Sequence, residues 1–435
     1  MAILVRSEMI IPAAGKPAAE IRAHHYLDAE GLRRRETRSF ESQADTTDYS
    51  EYRDSNDNGR TWGNWVRERI VTKEPVGNDE IDENMGYAYA QHVWNPVHRH
   101  YVSLESQFLY VDGYEKTMGR YWSGEFYPVH NFLAIETEDG KKLPRVLVKY
   151  EEGADYDRAN YHETDYLYTN IARGSELLVL KNGDILFDME LPMHIACRIA
   201  GVDRNVVFPS APGNGHAWAL MIGRGKWNPD TKQYDVTYAA PIIMDDRINS
   251  RGTSEPVFAE LESGRILVVY RVSCVRRPDW NCRVSPYLPN CKFYTYSDDG
   301  GKTFAPPMPW HYDTREFLYS SATFSRFIRS RKNGKLYWIG NITDPAKTDG
   351  AYPRYPLQIV EVDEEWGVAK KDTVTIIDTR REGETELVQL SNFAVIDNRE
   401  TGDIELYLCK FGQYEDRHIF DCETWKYTIT VPEKA

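Results

Sequence analysis

A unit of two apolar strands joined by a glycine-containing turn recurs along this chain, and it limits the possible folds more than any other feature. Copies occur at 27–36, 178–189, 258–271 and 327–340. Alternating apolar residues around Gly-, Asn- and Asp-rich turns predict antiparallel hairpins. Gaps of 81 and 70 residues separate the last three turn glycines, a spacing that favours a β-propeller of four-stranded blades.

A second pattern, Ser-x-Asp-x-Gly-x-Thr-aromatic, occurs at 55–62 and at 297–304. Asp57 and Asp299 are expected to accept backbone N–H bonds across a turn, and the glycine of each pattern to adopt a positive φ. The pattern resembles the Asp box of sialidases and related propellers. In that family the box lies at the blade periphery, which implies no catalytic role for either aspartate.

The resemblance implies an all-β fold, a six-bladed, sialidase-like β-propeller of four-stranded antiparallel blades. No low-complexity stretch or linker interrupts the sequence, so residues 1–435 are expected to form a single domain. The sequence leaves open whether the blades number six or seven. It also leaves the oligomeric state open.

Composition and charge limit the kinds of partner that this chain can bind. Aromatic residues make up 13% of the chain, which suits strands and also suits sugars, because aromatic rings stack on apolar C–H faces. A formal net charge of −14 argues against nucleic acid and anionic membranes as partners. A local group of arginines can still bind one carboxylate by bidentate hydrogen bonds. An acidic oligosaccharide or polysaccharide is therefore the expected partner.

The N-terminal residues and the cysteines bear on location and cofactors. No signal-like or membrane-spanning apolar run begins the chain, which predicts a cytoplasmic protein, or a secreted or periplasmic one if a leader has been removed. The six cysteines do not have zinc-site spacing, so free thiols and no metal are expected. No cofactor is predicted.

Sialidases use three arginines to hold the substrate carboxylate, a Tyr–Glu pair as nucleophile and an Asp as acid/base. The segment 251–271 resembles the one in which the catalytic glutamate begins one strand and an arginine ends the next. Here these residues are Glu255 and Arg271, sixteen positions apart. The hairpin turn between them is expected to bring both to one strand end, where propeller sites lie.

The other arginines and the acid are predicted from weaker matches. Arg354, after Gly340–Pro345, is the candidate for the third arginine, and Arg22 for the first. The Arg-Ile-Pro context of the first family arginine is absent around Arg22. Asp45 and Asp48 precede the first Asp-box pattern at a suitable distance for the general acid, and Asp45 is the closer match.

One position departs from the family. The stretch Val388–Val395 resembles the strand that carries the nucleophilic tyrosine, but Leu390 stands where tyrosine is expected. Three alternatives follow: another group is the nucleophile, the enzyme inverts using water, or the protein is not a sialidase. If water attacks, two catalytic carboxylates should lie about 6.5–9.5 Å apart.

The sequence thus predicts an exo-acting glycoside hydrolase that removes a terminal acidic sugar, either sialic acid or a uronic-acid-linked residue. A polysaccharide lyase is the first alternative, since it needs no tyrosine nucleophile and abstracts a proton beside a uronate carboxylate. Its candidate residues are His194, His216, Tyr238 and Arg251. The second alternative is a non-catalytic sugar-binding propeller that keeps the arginines.

Overall fold

The computed structural model describes residues 2–43, 47–70, 74–76, 79–82, 92–110, 129–153, 169–209, 217–274, 283 and 289–434. Side chains are described at these positions except 68–70, 74–76, 79–82 and 108–110. The regular structure is almost entirely β, as the alternating sequence predicts.

The strands in chain order are β1 (Leu4–Ile11), β2 (Ala19–Tyr26), β3 (Arg34–Glu41), β4 (Tyr49–Ser55), β5 (Val66–Ile70), β6 (Glu74–Val76), β7 (Asp79–Asp82), β8 (His92–Asn95), β9 (His100–Tyr110), β10 (Val129–Thr137), β11 (Val146–Leu147), β12 (Leu177–Val179), β13 (Ile185–Pro192), β14 (Trp218–Asn228), β15 (Gln233–Tyr238), β16 (Ser254–Glu260), β17 (Ile266–Arg271), β18 (Phe293–Ser297), β19 (Met308–Pro309), β20 (Arg326–Arg329), β21 (Leu336–Asn341), β22 (Leu357–Asp363), β23 (Val368–Ala369), β24 (Thr375–Asp378), β25 (Phe393–Asp397), β26 (Ile404–Cys409) and β27 (Thr424–Thr430). The helices are α1 (Met193–Ala200), α2 (Arg204–Val207) and a 3₁₀ turn, Lys371–Thr373.

These strands form six sheets, the blades of a six-bladed β-propeller. Four sheets have four strands, in the orders β2-β3-β4-β5, β12-β13-β14-β15, β16-β17-β18-β19 and β25-β26-β27-β1. Another contains β8, β9, β10 and β11, with the β6–β7 hairpin added at β9. The remaining sheet runs β20-β21-β22-β23, and β24 also pairs with β22. The prediction of six four-stranded blades is confirmed, with extra strands on two of them.

The chain divides into two compact units. The first consists of residues 1–71, 289–292 and 309–435. Its core includes the apolar residues of β21, β22 and β25 to β27. The second consists of residues 72–288 and 293–308, and its core is built largely by β9, β10, β13, β14 and α1. Second strands such as β13 and β26 are buried along their whole length, because both of their faces are covered.

The recurring hairpin turn joins the first strand of a blade to the second. All four predicted copies do this, between β2 and β3, β12 and β13, β16 and β17, and β20 and β21. Gly183, Gly264 and Gly334 adopt φ values of 88°, 85° and 77° in their turns. Only glycine adopts this left-handed conformation without a steric cost, which explains the repeated glycine.

Two further turns of the same kind were missed in the sequence. The turn between β25 and β26 contains Gly402, with φ at 67°, and the turn between β8 and β9 contains Arg99, with φ at 55°. The turn between β8 and β9 could not be recognised in the sequence because its left-handed residue, Arg99, is not a glycine.

Candidate functional site

Glu255 and Arg271 form an ion pair at the strand end to which the sequence predicts that the hairpin brings them. Ser254 at the start of β16 is paired with Arg271 at the end of β17, so the hairpin brings the two charged residues to one strand end. Glu255 Oε1 lies 2.6 Å from Arg271 Nη1. The side chain of Glu255 is 27% exposed and that of Arg271 is 17% exposed, so solvent reaches both.

The backbone of Glu255 is unusual. The register shifts between Ser254 and Val257, so that Glu255 and Pro256 together lie opposite Tyr270 in a β-bulge. The φ of Glu255 is 48°, in the left-handed region that costs a residue with a Cβ of order 1–3 kcal/mol. Strain of this kind persists only where the surrounding structure holds it in place.

That support comes from another sheet of the same unit. Glu190, near the end of β13, accepts the backbone N–H of Glu255 through Oε1 at 2.5 Å. Its other oxygen, Oε2, accepts Nε and Nη2 of Arg173 at 2.9 and 2.5 Å. The Glu190 side chain is 1% exposed, and the Arg173 guanidinium also lies 5.3 Å from the ring centroid of Trp218. Arg173, Glu190, Glu255 and Arg271 are called the Arg271 cluster below.

In the Arg271 cluster, the positive charges of two arginines nearly balance the negative charges of two glutamates. Burial lowers the pKa of Arg271, but the charge and hydrogen bond of Glu255 outweigh it and raise this pKa overall. Asp188, two residues before Glu190 in β13, has a pKa raised well above its usual value by burial and by the charge of Glu190. A solvent-accessible guanidinium beside a carboxylate can bind an acidic ligand and can hold a water for attack.

Sequence reasoning missed Arg173 and Glu190. A signal for Arg173 was present, because Arg173-Gly174-Ser175 resembles Arg251-Gly252-Thr253 in the two most similar copies of the hairpin unit. Glu190 had no such signal, since its contact with Glu255 joins two sheets across 65 positions of sequence.

Arg354 lies in the first unit and contacts the segment just before β25, which contains Leu390. Its Nη1 donates to Gln389 Oε1 at 2.7 Å, its guanidinium lies 5.4 Å from the ring centroid of Tyr352, and its carbonyl accepts the Leu390 N–H at 2.9 Å. Leu390 is fully buried in the apolar core of this unit. The position expected for a tyrosine nucleophile is therefore a core position here.

Arg22 lies within β2 and is paired with two carboxylates of the same sheet. Its Nη2 is 2.5 Å from Glu20 and its Nη1 is 2.5 Å from Glu36. The guanidinium also lies 5.0 Å from the ring centroid of Trp65. A substrate carboxylate at Arg22 would compete with these carboxylates, so its predicted role as first arginine stays a prediction.

Of the two candidates for the general acid, Asp48 accepts a hydrogen bond from the Ser42 hydroxyl at 3.1 Å. Asp45 lies outside the described residues. The assignment of the general acid therefore stays a prediction.

The residues considered for a lyase lie in the second unit. Tyr238 ends β15 and donates its hydroxyl proton to the Lys149 carbonyl, and burial raises its pKa. His194 is on α1, where burial and the charge of Arg204 lower its pKa. Arg251 accepts the Trp218 N–H through its carbonyl at 3.1 Å, and His216 lies outside the described residues. Their role in a lyase stays a prediction.

The two Ser-x-Asp turns have the predicted local geometry. Asp57 accepts the Thr61 N–H at 2.8 Å and its hydroxyl at 2.6 Å. Asp299 accepts the same two groups of Thr303 at 3.0 and 2.7 Å. The glycine of each pattern, Gly59 in the first turn and Gly301 in the second, has φ at 86°. These hydrogen bonds, led by that of the Thr61 hydroxyl, lower the pKa of Asp57 to about 2.

Four cysteines are free, buried thiols, as the sequence predicts: Cys197, Cys291, Cys409 and Cys422. Cys274 is also buried, and Cys282 lies outside the described residues. No group of three potential metal ligands occurs among the described residues. In the same part of the chain, no helix combines the length and apolar character needed to cross a bilayer.

Comparison with known proteins places the fold but not the activity. No family model matches the sequence, and no curated protein matches it. Among solved structures, a protein of unknown function from Dyadobacter fermentans matches at a TM-score of 0.58 and 12% identity, over 98% of this chain and 99% of that one. A Trypanosoma rangeli sialidase in complex with sialic acid matches at a TM-score of 0.51 and 9% identity.

The trypanosomal match covers 98% of this chain but only 58% of the enzyme's chain. The NanB sialidase from Streptococcus pneumoniae matches at a TM-score of 0.52 and 10% identity, over 96% of this chain and 68% of that one. At these identities the likeness concerns the fold alone. The chain thus has a six-bladed β-propeller fold similar to that of these sialidases, at about 10% sequence identity.

Proposed function

We propose that the protein is an exo-acting glycoside hydrolase that removes a terminal acidic sugar, a sialic acid or a uronic-acid-linked residue, from a glycan. The observation that carries the proposal is the Glu255–Arg271 pair, in which a solvent-accessible guanidinium lies 2.6 Å from a carboxylate whose backbone is strained. Strained backbone clusters at active sites and ligand-binding sites. A titratable group whose pKa is shifted by burial and by a specific charge partner, as that of Arg271 is, also favours a functional site.

In this mechanism Arg271 binds the substrate carboxylate by charge-assisted hydrogen bonds. Glu255 takes a proton from a water molecule whose oxygen attacks the anomeric carbon, while a second carboxyl group protonates the departing glycosidic oxygen. The prediction of Asp48 or Asp45 as the acid, and of Arg354 and Arg22 as further arginines, rests on the sequence alone. Water as nucleophile agrees with the buried position of Leu390 and implies inversion at the anomeric carbon.

The test is product analysis with a panel of sialylated and uronate-containing glycans in ¹⁸O-labelled water. Mass spectrometry should find a released acidic sugar that carries one labelled oxygen, and NMR should find the inverted anomer first. An unsaturated uronate without added water would instead identify a lyase. A retained anomer would rule out direct attack by water.

Two substitutions test whether the activity depends on the Glu255–Arg271 pair. Glu255→Gln should lower kcat about 100-fold or more, because a general base contributes that much. Arg271→Lys should raise KM about 10-fold, because an ammonium cannot make the bidentate contact. Arg265→Lys is the matched control, since Arg265 pairs with Asp298 at 2.7 Å beyond the opposite end of β17. Equal effects at Arg271 and Arg265 would contradict a role in substrate binding.

A non-catalytic sugar-binding protein is the second candidate. The observation in its favour is Leu390, which cannot act as a nucleophile and is buried in the core. Glycan binding that depends on Arg271, with no product from any substrate of the panel, would support this reading.

A further inference from the structure

We propose that Glu190 is a positioning residue that fixes the backbone of Glu255 and thereby aims its carboxylate. This inference rests on the proposed function for its catalytic consequence, but its structural part stands without it. Neither the sequence pattern nor the likeness to sialidases assigned a role to Glu190.

The first argument concerns the backbone hydrogen bonds of the bulge at Glu255 and Pro256. Glu255 and Pro256 lie opposite one residue of β17, so the ladder of the sheet is interrupted there. Proline has no N–H, and the N–H of Glu255 points to Glu190 Oε1 at 2.5 Å rather than to β17. Glu190 therefore provides the acceptor for the backbone amide that the bulge removes from the sheet.

The second argument is that Glu190 is itself held rigidly. Two nitrogens of Arg173 bind Oε2 at 2.9 and 2.5 Å, and the carboxylate is almost completely buried. Arg173 and Glu190 are also joined backbone to backbone, by N–H···O bonds of 3.1 and 2.7 Å. A carboxylate fixed in this way can hold a residue in a strained conformation, which a mobile surface carboxylate cannot do.

The third argument is the direction of the effect. With φ at 48°, the Glu255 side chain leaves the strand in the direction that places Oε1 beside Arg271. Without the Glu190 acceptor, the Glu255 backbone would relax toward the extended region that β-strands prefer. The carboxylate would then leave the geometry in which it lies 2.6 Å from Arg271.

The structural test is hydrogen exchange of the Glu255 amide, followed at single-residue resolution by fragmentation of labelled peptides. In Glu190→Ala the exchange should be about 10-fold faster or more than in the wild type, because the acceptor is gone. In Glu190→Gln it should stay within about 3-fold, because the amide oxygen still accepts. Glu190→Asp keeps the charge but shortens the reach, and should resemble the alanine variant; it replaces that variant if alanine prevents folding.

The matched control is Glu260→Ala. Glu260 Oε2 accepts the Lys181 N–H at 2.7 Å, which is also a carboxylate-to-amide bond between β16's sheet and that of β13, but at the other end of β16. The Glu260→Ala substitution should leave both the exchange rate of the Glu255 amide and the turnover of substrate unchanged. A loss at Glu260 equal to that at Glu190 would overturn the proposal, because the effect would then reflect general contact between the sheets.

The kinetic test uses a double-mutant cycle. Glu190→Ala should lower kcat about 10-fold or more with KM within about 3-fold, because Arg271 remains to bind substrate. In a Glu255→Gln background the same substitution should change kcat by less than about 2-fold, since Glu190 acts through Glu255. An undiminished effect in that background would overturn the positioning role.

The two proposals fail separately. If the wild type turns over no glycan, the proposed function fails, while fast exchange in the alanine variant and protection in the glutamine variant still support the positioning of the backbone. If the Glu255 amide exchanges equally in all three proteins, the positioning role is wrong whatever the activity.

Discussion

Six non-glycine residues in the described part of the chain have positive φ, and Glu255 is the one that lies inside a strand. The others, such as Asn58 and Arg99, lie in turns, where a left-handed residue reverses the chain. The sixteen-residue spacing of Glu255 and Arg271 predicted their contact, because a hairpin fixes which residues are opposite. The spacing could not predict the strain, because the strain depends on Glu190 in another sheet.

His100 leads to a residue-scale prediction about acid. It is buried, its Nε2 lies 2.7 Å from the Tyr234 hydroxyl, and its ring centroid is 4.3 Å from that of Trp227. Burial, followed by the charge of His98, lowers its pKa to about 4, below the value of about 6.5 in an unfolded chain. Between these values the unfolded state binds more protons, so stability is complete above pH 6.5 and falls as the pH drops toward 4.

The contribution of His100 to the free energy of unfolding should decrease by up to about 3 kcal/mol over this window. Urea titrations at several pH values measure it. His100→Gln removes the titrating group and should flatten the pH dependence between pH 4 and 6.5, although it will also lower stability at pH 7. His24, whose pKa is also lowered by burial, should still contribute a residual slope. An unchanged slope in His100→Gln would show that this ring does not titrate in that range.

At the scale of elements, the sheets that contain β14 and β16 are joined by a close backbone contact that allows little substitution. Gly252, just before β16, forms a parallel bridge to Trp218 at the start of β14. A Cβ added at Gly252 would lie 1.7 Å from the Trp218 carbonyl oxygen, and its φ is 85°. The sequence showed Gly252 only as part of a repeated Arg-Gly motif. The need for glycine arises from a neighbouring strand, which no local pattern reveals.

Gly252→Ala should therefore destabilise the protein much more than Gly264→Ala. Gly264 has the same φ of 85°, but a Cβ there would meet nothing within 4 Å. Its alanine variant should lose about 1–2 kcal/mol, the cost of a left-handed residue alone. The Gly252 variant should lose at least about 3 kcal/mol, since backbone must also move. Denaturant midpoints of the two variants compare these costs, and equal losses would contradict the steric argument.

At the scale of the whole molecule, the two ends of the chain meet in one blade. β1 is the outer strand of the sheet whose other strands are β25, β26 and β27. Its register with β27 runs antiparallel from Leu4 opposite Thr430 to Ile11 opposite Thr424. Because the first and last strands share hydrogen bonds, opening this blade requires breaking a complete ladder.

Removal of residues 2–11 should lower the stability of the first unit by several kcal/mol, at about 1 kcal/mol for each ladder hydrogen bond lost. The exposed edge of β27 should also promote association between molecules. Thermal unfolding with light scattering measures both effects. Removal of residues 434–435 is the control, since Lys434 lies outside any strand. An unchanged melting temperature after loss of β1 would mean that the β1–β27 ladder contributes little.

Local periodicity in the sequence determined the all-β class, the hairpins, the two Ser-x-Asp turns and the contact of Glu255 with Arg271, because each depends on residues close together in the chain. Tertiary structure decided what depends on distant segments. It buried Leu390 in a core and set Glu190 against the Glu255 amide. The physical reason is that burial and hydrogen-bond partners are set by packing between sheets, whereas turns and strand pairing within a hairpin are set by backbone conformation along a short stretch.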